Sequence, residues 1–328
     1  PVTVTVPRLN VAGTPTTSTT AAVSTFTVPC AEVICNPAGV ISASPVTFVV
    51  PKPKVAAMPA GKYLDGTCGL GGHSEQILSK LSTNGFLIGT DIDNEAIDIA
   101  KTKLKKVNSN FHIEKCSYSQ FPEILKKLNI DKVDGVLLDL GLSSLQLDSK
   151  DRGFSFMRDA SLDMRFDLES KIKANDIINR FSEVELADIM YHFGEERMSR
   201  KISKNIIKNR PINMVSELVE IIRVSTPPNK RNKTMSRVFQ SFRIAVNNEI
   251  DNLKKFLKKY IPYIEVGGKI VIISFHSIED RLVKHSFKSS SNKGVLKILT
   301  KKPIMASEEE KKFNKRSKSA KLRCAIKL

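Results

Sequence analysis

The 328 residues hold only five cysteines, Cys30, Cys35, Cys68, Cys116 and Cys324, odd in number and scattered. No pair has zinc spacing, and Cys30 and Cys35 lie too far apart for a CxxC motif. This argues against a disulfide framework and a structural zinc, and no metal is read anywhere. Free thiols in a reducing, cytoplasmic setting are expected. A run of about 18 apolar residues is also lacking, so no membrane span is expected. Charge is nearly missing from the first fifty residues, which contain one base (Arg8) and one acid (Glu32). Residues 1–57 are rich in Thr, Val, Ala, Ser and Pro, without helical period. They read as a poorly ordered, low-complexity extension. A single arginine and no amphipathic helix argue against a transit peptide there.

Beyond residue 50 the composition changes. The chain carries 52 Lys and Arg against 34 Asp and Glu, a net charge of +18, and the excess lies after that point. A basic surface of this size favours a polyanionic partner such as a nucleic acid, although a lysine-rich composition with merely solvated faces would look similar. Four glycines fall within seven residues, Gly66, Gly69, Gly71 and Gly72. A short apolar strand ending at Asp65 precedes them, and a helix with Ile77, Leu78 and Leu81 on one face follows. Strand, glycine loop and helix present bare backbone to a cofactor.

The rhythm then repeats, with strands at Phe86–Thr90, Phe111–Glu114 and Val133–Leu140 and helices at Glu95–Val107 and Phe121–Leu128. Successive βα units imply right-handed crossovers and a parallel, doubly wound, Rossmann-like sheet. Residues 145–235 contain no convincing strand. Helical stretches there (Ala174–Ile178, Glu183–Phe193 behind a Ser182 N-cap, Arg197–Lys208, Val215–Val224) predict an inserted helical domain. The α/β domain is expected over 58–144 and 236–328. Its second part holds one long helix at Arg237–Tyr260, a strand at Lys269–Phe275 and a helix at Ile278–Phe287. Val295–Leu299 and Leu322–Lys327 are expected to close it as an antiparallel pair.

Asp91 ends the second strand about twenty residues beyond the glycine loop, where a carboxylate accepts ribose hydroxyls. Asp93 competes for that role. Loop and acid together fit NAD or S-adenosyl-L-methionine. The Gly69-Leu-Gly-Gly pattern lacks the GxGxxG spacing that serves a pyrophosphate and favours the latter. Asp65 suits its cationic end. Asp139 ends the fourth strand and points into the ligand crevice. It is the candidate catalytic residue, an acceptor for the hydrogens of an exocyclic amine, and equally a candidate cofactor ligand. Gln146 could read an adenine edge or a ribose.

Longer motifs carry a resemblance. They are Asp65-Gly-Thr-Cys-Gly-Leu-Gly-Gly-His-Ser74, Asp134-Gly-Val-Leu-Leu-Asp-Leu-Gly-Leu-Ser-Ser-Leu-Gln-Leu-Asp148, Arg152-Gly-Phe-Ser-Phe156 and Leu162-Asp-Met-Arg-Phe-Asp167. Gly194-Glu-Glu196, Arg237-Val-Phe-Gln-Ser-Phe-Arg-Ile-Ala-Val-Asn247, Ser274-Phe-His-Ser-Ile-Glu-Asp-Arg281 and Arg316-Ser-Lys-Ser-Ala-Lys-Leu-Arg323 follow in order. Over about residues 60–328 the chain resembles the bacterial RsmH (MraW) family. The resemblance implies a class I S-adenosyl-L-methionine-dependent methyltransferase with an inserted helical substrate domain. The implied reaction is N4-methylation of a cytidine in the decoding region of small-subunit (16S) ribosomal RNA, free or in a 30S particle. Monomer and homodimer both stay open. The implied cofactor contacts are Gly71, Gly72, His73, Asp91, Tyr118, Asp139 and Gln146, with Tyr118 where the family usually has Phe.

Three stretches depart from the family. The segment before the glycine loop lacks its His-x-Pro-Val, Asn232-Lys-Thr-Met-Ser-Arg237 replaces His-Pro-Ala-Thr-Arg, and Lys315 replaces a usual Pro. Arg237, Arg243, Arg281, Lys284, Lys318 and Arg323 are candidate phosphate contacts. Phe154 and Phe156 are candidate walls for a splayed base, and His276 either lines its pocket or, the favoured reading, simply hydrogen-bonds within it. Arg152–Phe156 and Asp163–Asp167 form either a lid or a joint between domains. Among alternatives, other amine methyltransferases of nucleic acids carry Asp/Asn/Ser-Pro-Pro-Tyr where this chain has Asp139-Leu-Gly-Leu. A non-catalytic RNA-binding or assembly protein of the same family is the remaining reading, and intact Asp91 and Asp139 speak against it.

Overall fold

A computed structural model describes residues 58–149 and 151–328. It also describes two short strand pairs upstream, Val2–Val6 with Ser24–Val28 and Ile34–Asn36 with Lys52–Lys54, outside the main sheet. The expected extension over 1–57 otherwise lies outside the described residues.

Eight strands form the main sheet: β1 (Lys62–Asp65), β2 (Phe86–Asp91), β3 (Phe111–Lys115), β4 (Val133–Asp139), β5 (Ile264–Ser274), β6 (Leu296–Ile298), β7 (Ile304–Met305) and β8 (Lys321–Lys327). Their order is β6-β8-β5-β4-β1-β2-β3, with β7 joined to β8. β3-β2-β1-β4-β5 are parallel, and β8 runs antiparallel between β5 and β6. The chain winds outward from β1 in one direction and from β4 in the other. The crevice beyond the carboxyl ends of these two neighbours is the topological switch point, where open α/β sheets take ligands.

Alternation along β4 explains its burial on both faces. Leu137 joins Tyr63, Leu87 and Val271 under helices α1 (Gly72–Leu78) and α2 (Asn94–Leu104). Val136 and Leu138 join Leu64, Ile88 and Ile272 on the other face. Helix α3 (Phe121–Lys127) covers that face, together with two helices from later in the chain. A strand apolar on both sides needs this double cover.

Between β4 and β5 the chain is helical: α4 (Ser144–Asp148), α5 (Ala174–Arg180), α6 (Glu183–Gly194), α7 (Ser199–Lys208), α8 (Val215–Ser225), α9 (Arg231–Asn247) and α10 (Glu249–Lys259). Ser182 caps α6 in a reciprocal box with Glu185. A separate apolar core runs through α5 to α9, built on Leu186, Met190, Ile206, Leu218 and Phe242.

The long helix expected over Arg237–Tyr260 is two helices. Asn248 between them has φ 52°, a left-handed conformation that Asn tolerates better than most residues. The reason is the destination of each apolar stripe. Val238, Phe239, Phe242 and Val246 of α9 pack into the helical core, whereas Leu253 and Phe256 of α10, with Tyr260, pack onto the sheet. The helical unit therefore extends to Asn247, beyond the boundary expected at 235. After β5, helix α11 (Ser277–Asn292) completes the sheet cover and α12 (Glu308–Phe313) precedes β8. The expected closing antiparallel pair is β6 with β8.

Asn248→Gly is expected to leave stability within about 0.5 kcal/mol, because glycine takes the same backbone conformation freely. Asn248→Val is expected to cost about 1–3 kcal/mol in urea denaturation, because a β-branched residue is strained there.

Candidate active site

The glycine loop is fixed from beneath by buried polar contacts. Asp65 is fully buried at the end of β1 and accepts from Ser74 Oγ (2.6 Å) and the Thr67 amide (3.2 Å). Burial pushes its carboxyl pKa up, and these hydrogen bonds only partly oppose that. Thr67 Oγ1 accepts from the Asp139 amide at 2.6 Å, clamping the loop to the end of β4. Thr90 Oγ1 donates to the Gly66 carbonyl at 2.8 Å. A Cβ on Gly66 would lie 2.3 Å from Leu138 Cδ2 and 2.9 Å from Tyr118 Cβ, so only glycine fits. Gly72, by contrast, faces open space.

Asp91 braces the loop from β2. It accepts from the Gly69 amide (2.7 Å) and from the amides of Ile92 and Asp93 (2.8 and 3.0 Å). Burial raises its pKa against these bonds. Asp93 has a different task. It caps α2, and its Oδ2 accepts from Gln146 Nε2 and from an Arg152 guanidinium nitrogen, each at 3.0 Å. The other end of the Gln146 amide accepts from the Ser143 amide in the capping box of α4. Gln146 is thus buried with both ends of its amide engaged within the chain, next to Asp93. The Ser143-x-x-Gln146 spacing is the sequence signal for this helix, which the periodicity reading missed.

His73, in the first turn of α1, lies 3.3 Å from Asp139 through Nε2 and Oδ2. The other carboxylate oxygen, Asp139 Oδ1, is buried and has no hydrogen-bond partner. A buried carboxylate oxygen seldom goes unpaired, so this one is set for a donor from a ligand. Tyr118 follows β3 and packs edge-on against Phe256, with ring centroids 5.9 Å apart. Burial, then the carboxylates of Glu279 and Glu249, push its phenol well above the ordinary range.

Those two acids belong to a buried charge cluster that sequence reading did not assemble. Arg243 pairs with Glu249 through two bonds of 2.8 and 2.9 Å. His276 lies 3.1 Å from Glu279, whose other oxygen accepts from the Phe275 amide at 3.0 Å. Burial pushes the Glu279 pKa up, but His276, Arg243 and the Phe275 amide outweigh it, so the net shift is downward. Glu249, His276 and Glu279 stand as close together as metal ligands do. The Arg243 guanidinium, bound bidentately to Glu249, is the cation in that cluster. The buried pairs tie the end of β5 to the α9–α10 joint.

Several expected roles change. Arg323 is buried in an ion pair with Asp280, and the largely enclosed Arg243 is held by both oxygens of Glu249, so neither is a phosphate contact. Arg281 is held by Glu195 at 2.7 Å, and Arg237 lies 3.7 Å from Glu196. Lys284 and Lys318 are exposed. Phe154 is buried against Phe166 (5.7 Å) and Phe156 packs on Phe239, so neither is an open wall for a base. The segments 152–156 and 163–167 form a joint. Arg152 donates to the carbonyls of Arg165 and Phe166 (2.7 Å each), and Asn247 binds Met164 and Phe166. His276, by contrast, has the hydrogen-bonding role favoured for it: it caps α11 and pairs with Glu279.

A parallel 3-2-1-4-5 sheet with an antiparallel closing strand, a glycine loop at the switch point and acids ending β1, β2 and β4 define a class I S-adenosyl-L-methionine-dependent methyltransferase. The MraW methylase family model matches residues 46–328, so the chain belongs to the MraW methylase family. The match begins at residue 46, so the family region reaches twelve residues into the extension expected over 1–57. Ribosomal RNA small subunit methyltransferase H of Caldicellulosiruptor saccharolyticus is 48% identical over 287 residues, covering 82% of this chain and 93% of its own. The protein of the same name from Thermosipho africanus is 46% identical over 269 residues, covering 81% and 90%. A solved rRNA methylase from Streptococcus thermophilus aligns over 82% of this chain and 87% of its own at 10% identity and TM-score 0.39, too distant to bear on function.

The Asp65 carboxyl has a folded-state pKa above its unfolded value. Such a group favours folding fully below the unfolded pKa, about 3.9, and loses that contribution as pH rises through the folded pKa. Asp65→Asn is therefore expected to melt higher than the parent at pH 7, with the gap closing below about pH 4. A gap that ignores pH would contradict the assignment. Separately, Glu249→Ala is expected to cost about 3–5 kcal/mol in denaturant titration by leaving the Arg243 guanidinium buried and unpaired.

Proposed function

We propose that this methyltransferase modifies N4 of a cytidine in the decoding region of small-subunit ribosomal RNA, in the cytoplasm. Family membership supports methylation of ribosomal RNA with S-adenosyl-L-methionine as cofactor. The observation that carries the finer reading is the unpartnered, buried Asp139 Oδ1 at the end of β4. When bound, the cofactor supplies an electrophilic methyl group. Gly71, Gly72, His73, Asp91, Tyr118 and Asp139 would hold it, with Gln146 acting from behind through Asp93. The open space over Gly72 and the orphaned oxygen fit such a guest.

The lone pair of a cytosine amine is delocalised into the ring. As the nitrogen gains a bond it gains positive charge, and its hydrogens become stronger donors. A fixed carboxylate oxygen stabilises that charge more than it stabilises the neutral amine, which lowers the barrier. Asp139 is positioned for this by its strand, by the bond from its amide to Thr67, and by His73 on its second oxygen. It then accepts the amine proton, or passes it to solvent.

Asp139→Asn is expected to lower kcat on small-subunit RNA or particles by about 10²- to 10⁴-fold, the range for one general base. Mass-spectrometric mapping of modified nucleosides checks both rate and position. An unchanged rate would remove Asp139 from the chemistry, and a methyl group on adenine or on C5 would overturn the N4 reading. Calorimetric titration with S-adenosyl-L-methionine separates an enzyme from a non-catalytic RNA-binding relative, which would not bind it.

A further inference from the structure

Residues 307–320 leave the sheet at its catalytic edge. Lys321, the first residue of β8, pairs with Ser274, the last of β5, and Ile273 pairs with Asp139 at the end of β4. The segment thus starts roughly 10 Å, two strand spacings, to the side of Asp139. Its base is firmly seated: Ser317 and Ala320 are buried, and Leu322 joins the sheet core. Arg323 and Lys321 both reach Asp280 in the first turn of α11.

From this base projects α12. Ser307 caps it, and Glu308, Glu309 and Glu310 fill its first turn, where the helix dipole favours acids. Lys311 is bound to Glu308 at 2.7 Å. The far end has the opposite character. Phe313 ends the helix with 90% of its surface exposed, the most of any large apolar side chain described. Lys312, Lys315 and Lys318 around it are also exposed. The ring contributes nothing to any of the three apolar cores. Lys312, Lys315 and Lys318 all lie within five residues of the ring, whereas the core of a protein interface is depleted of charged residues. An aromatic face among lysines suits a flexible polyanion whose units each carry a flat ring.

We propose that the 308–318 arm binds single-stranded RNA beside the target nucleotide. Phe313 stacks on a neighbouring base, and Lys312, Lys315 and Lys318 neutralise the adjoining phosphates. This would supply the positioning role that the buried Arg243 and Arg323 cannot. The proposal rests on the ribosomal RNA reading but not on which atom is methylated.

The test is fluorescence anisotropy of the full chain with a labelled single-stranded small-subunit RNA at several salt concentrations. Phe313→Ala is expected to weaken binding about 5- to 150-fold at every salt, the range for one stacked base, and Phe313→Trp to restore it. Replacing Lys312, Lys315 and Lys318 by Ala is expected to flatten the slope of log affinity against log salt by about 2, near 0.7 per phosphate lost. Calorimetric affinity for S-adenosyl-L-methionine and thermal melting should not move in any variant. Phe313→Ala binding within twofold of the parent would overturn the proposal. So would a loss seen only with assembled particles, which would assign the ring to a protein contact. A methyl group mapped to another atom would overturn the N4 reading and leave the arm untouched.

Discussion

The arrangement turns on one carboxylate, that of Asp93. It stands where the cofactor crevice meets the helical unit, and it is buried with three donors on it: the first-turn amide of α2, the Gln146 amide and the Arg152 guanidinium. Arg152 in turn holds the carbonyls of Arg165 and Phe166, and Phe166 and Met164 are held by Asn247 at the end of α9. One continuous chain of hydrogen bonds therefore runs from β2 to the last residue of the helical unit. Removing the anion would leave the Arg152 charge uncompensated and strip one guanidinium nitrogen and the Gln146 Nε2 of their acceptor. That costs far more than the bonds themselves return.

Charge recurs on the far side of the crevice, where the Arg243–Glu249 pair of the α9–α10 joint stands against the His276–Glu279 pair just beyond β5. Buried ion pairs are weak contributors to net stability. What these supply is geometry, since a charge network with fixed partners tolerates only one packing. The C-terminal end of α9 is thus held twice, once through Asn247 by the chain that starts at Asp93 and once through Arg243 by Glu249. Asp139 lies on the strand between these two grips.

Much of the sheet was legible because parallel strands buried on both faces leave short continuous apolar runs, as in Val136-Leu-Leu138. The glycine loop and the acids at strand ends were legible because backbone approach and charge at a switch point demand particular residues. The α9–α10 break was not, because both halves keep helical period and differ only in which core they face. The fate of the arginines was hidden for a related reason. Arg243 and Arg281 look alike in sequence, and only the fold puts one beside Glu249 inside the protein and the other beside Glu195 at the surface. Gln146 was recognised as a site residue, yet its bond to Asp93 depends on a contact 53 positions away.

The position of β8 has a kinetic meaning. It is the last sheet strand in the chain, yet it sits inside the sheet, with β5 on one side and β6 on the other. During synthesis the parallel strands and their helices are complete long before it emerges, and until then β5 and β6 expose unpaired edges. Such edges recruit other strands. The nascent protein thus passes through a stage with its cofactor crevice built and its sheet unfinished. Insertion of Lys321–Lys327 closes the gap and, in the same act, anchors the basic arm beside Asp139.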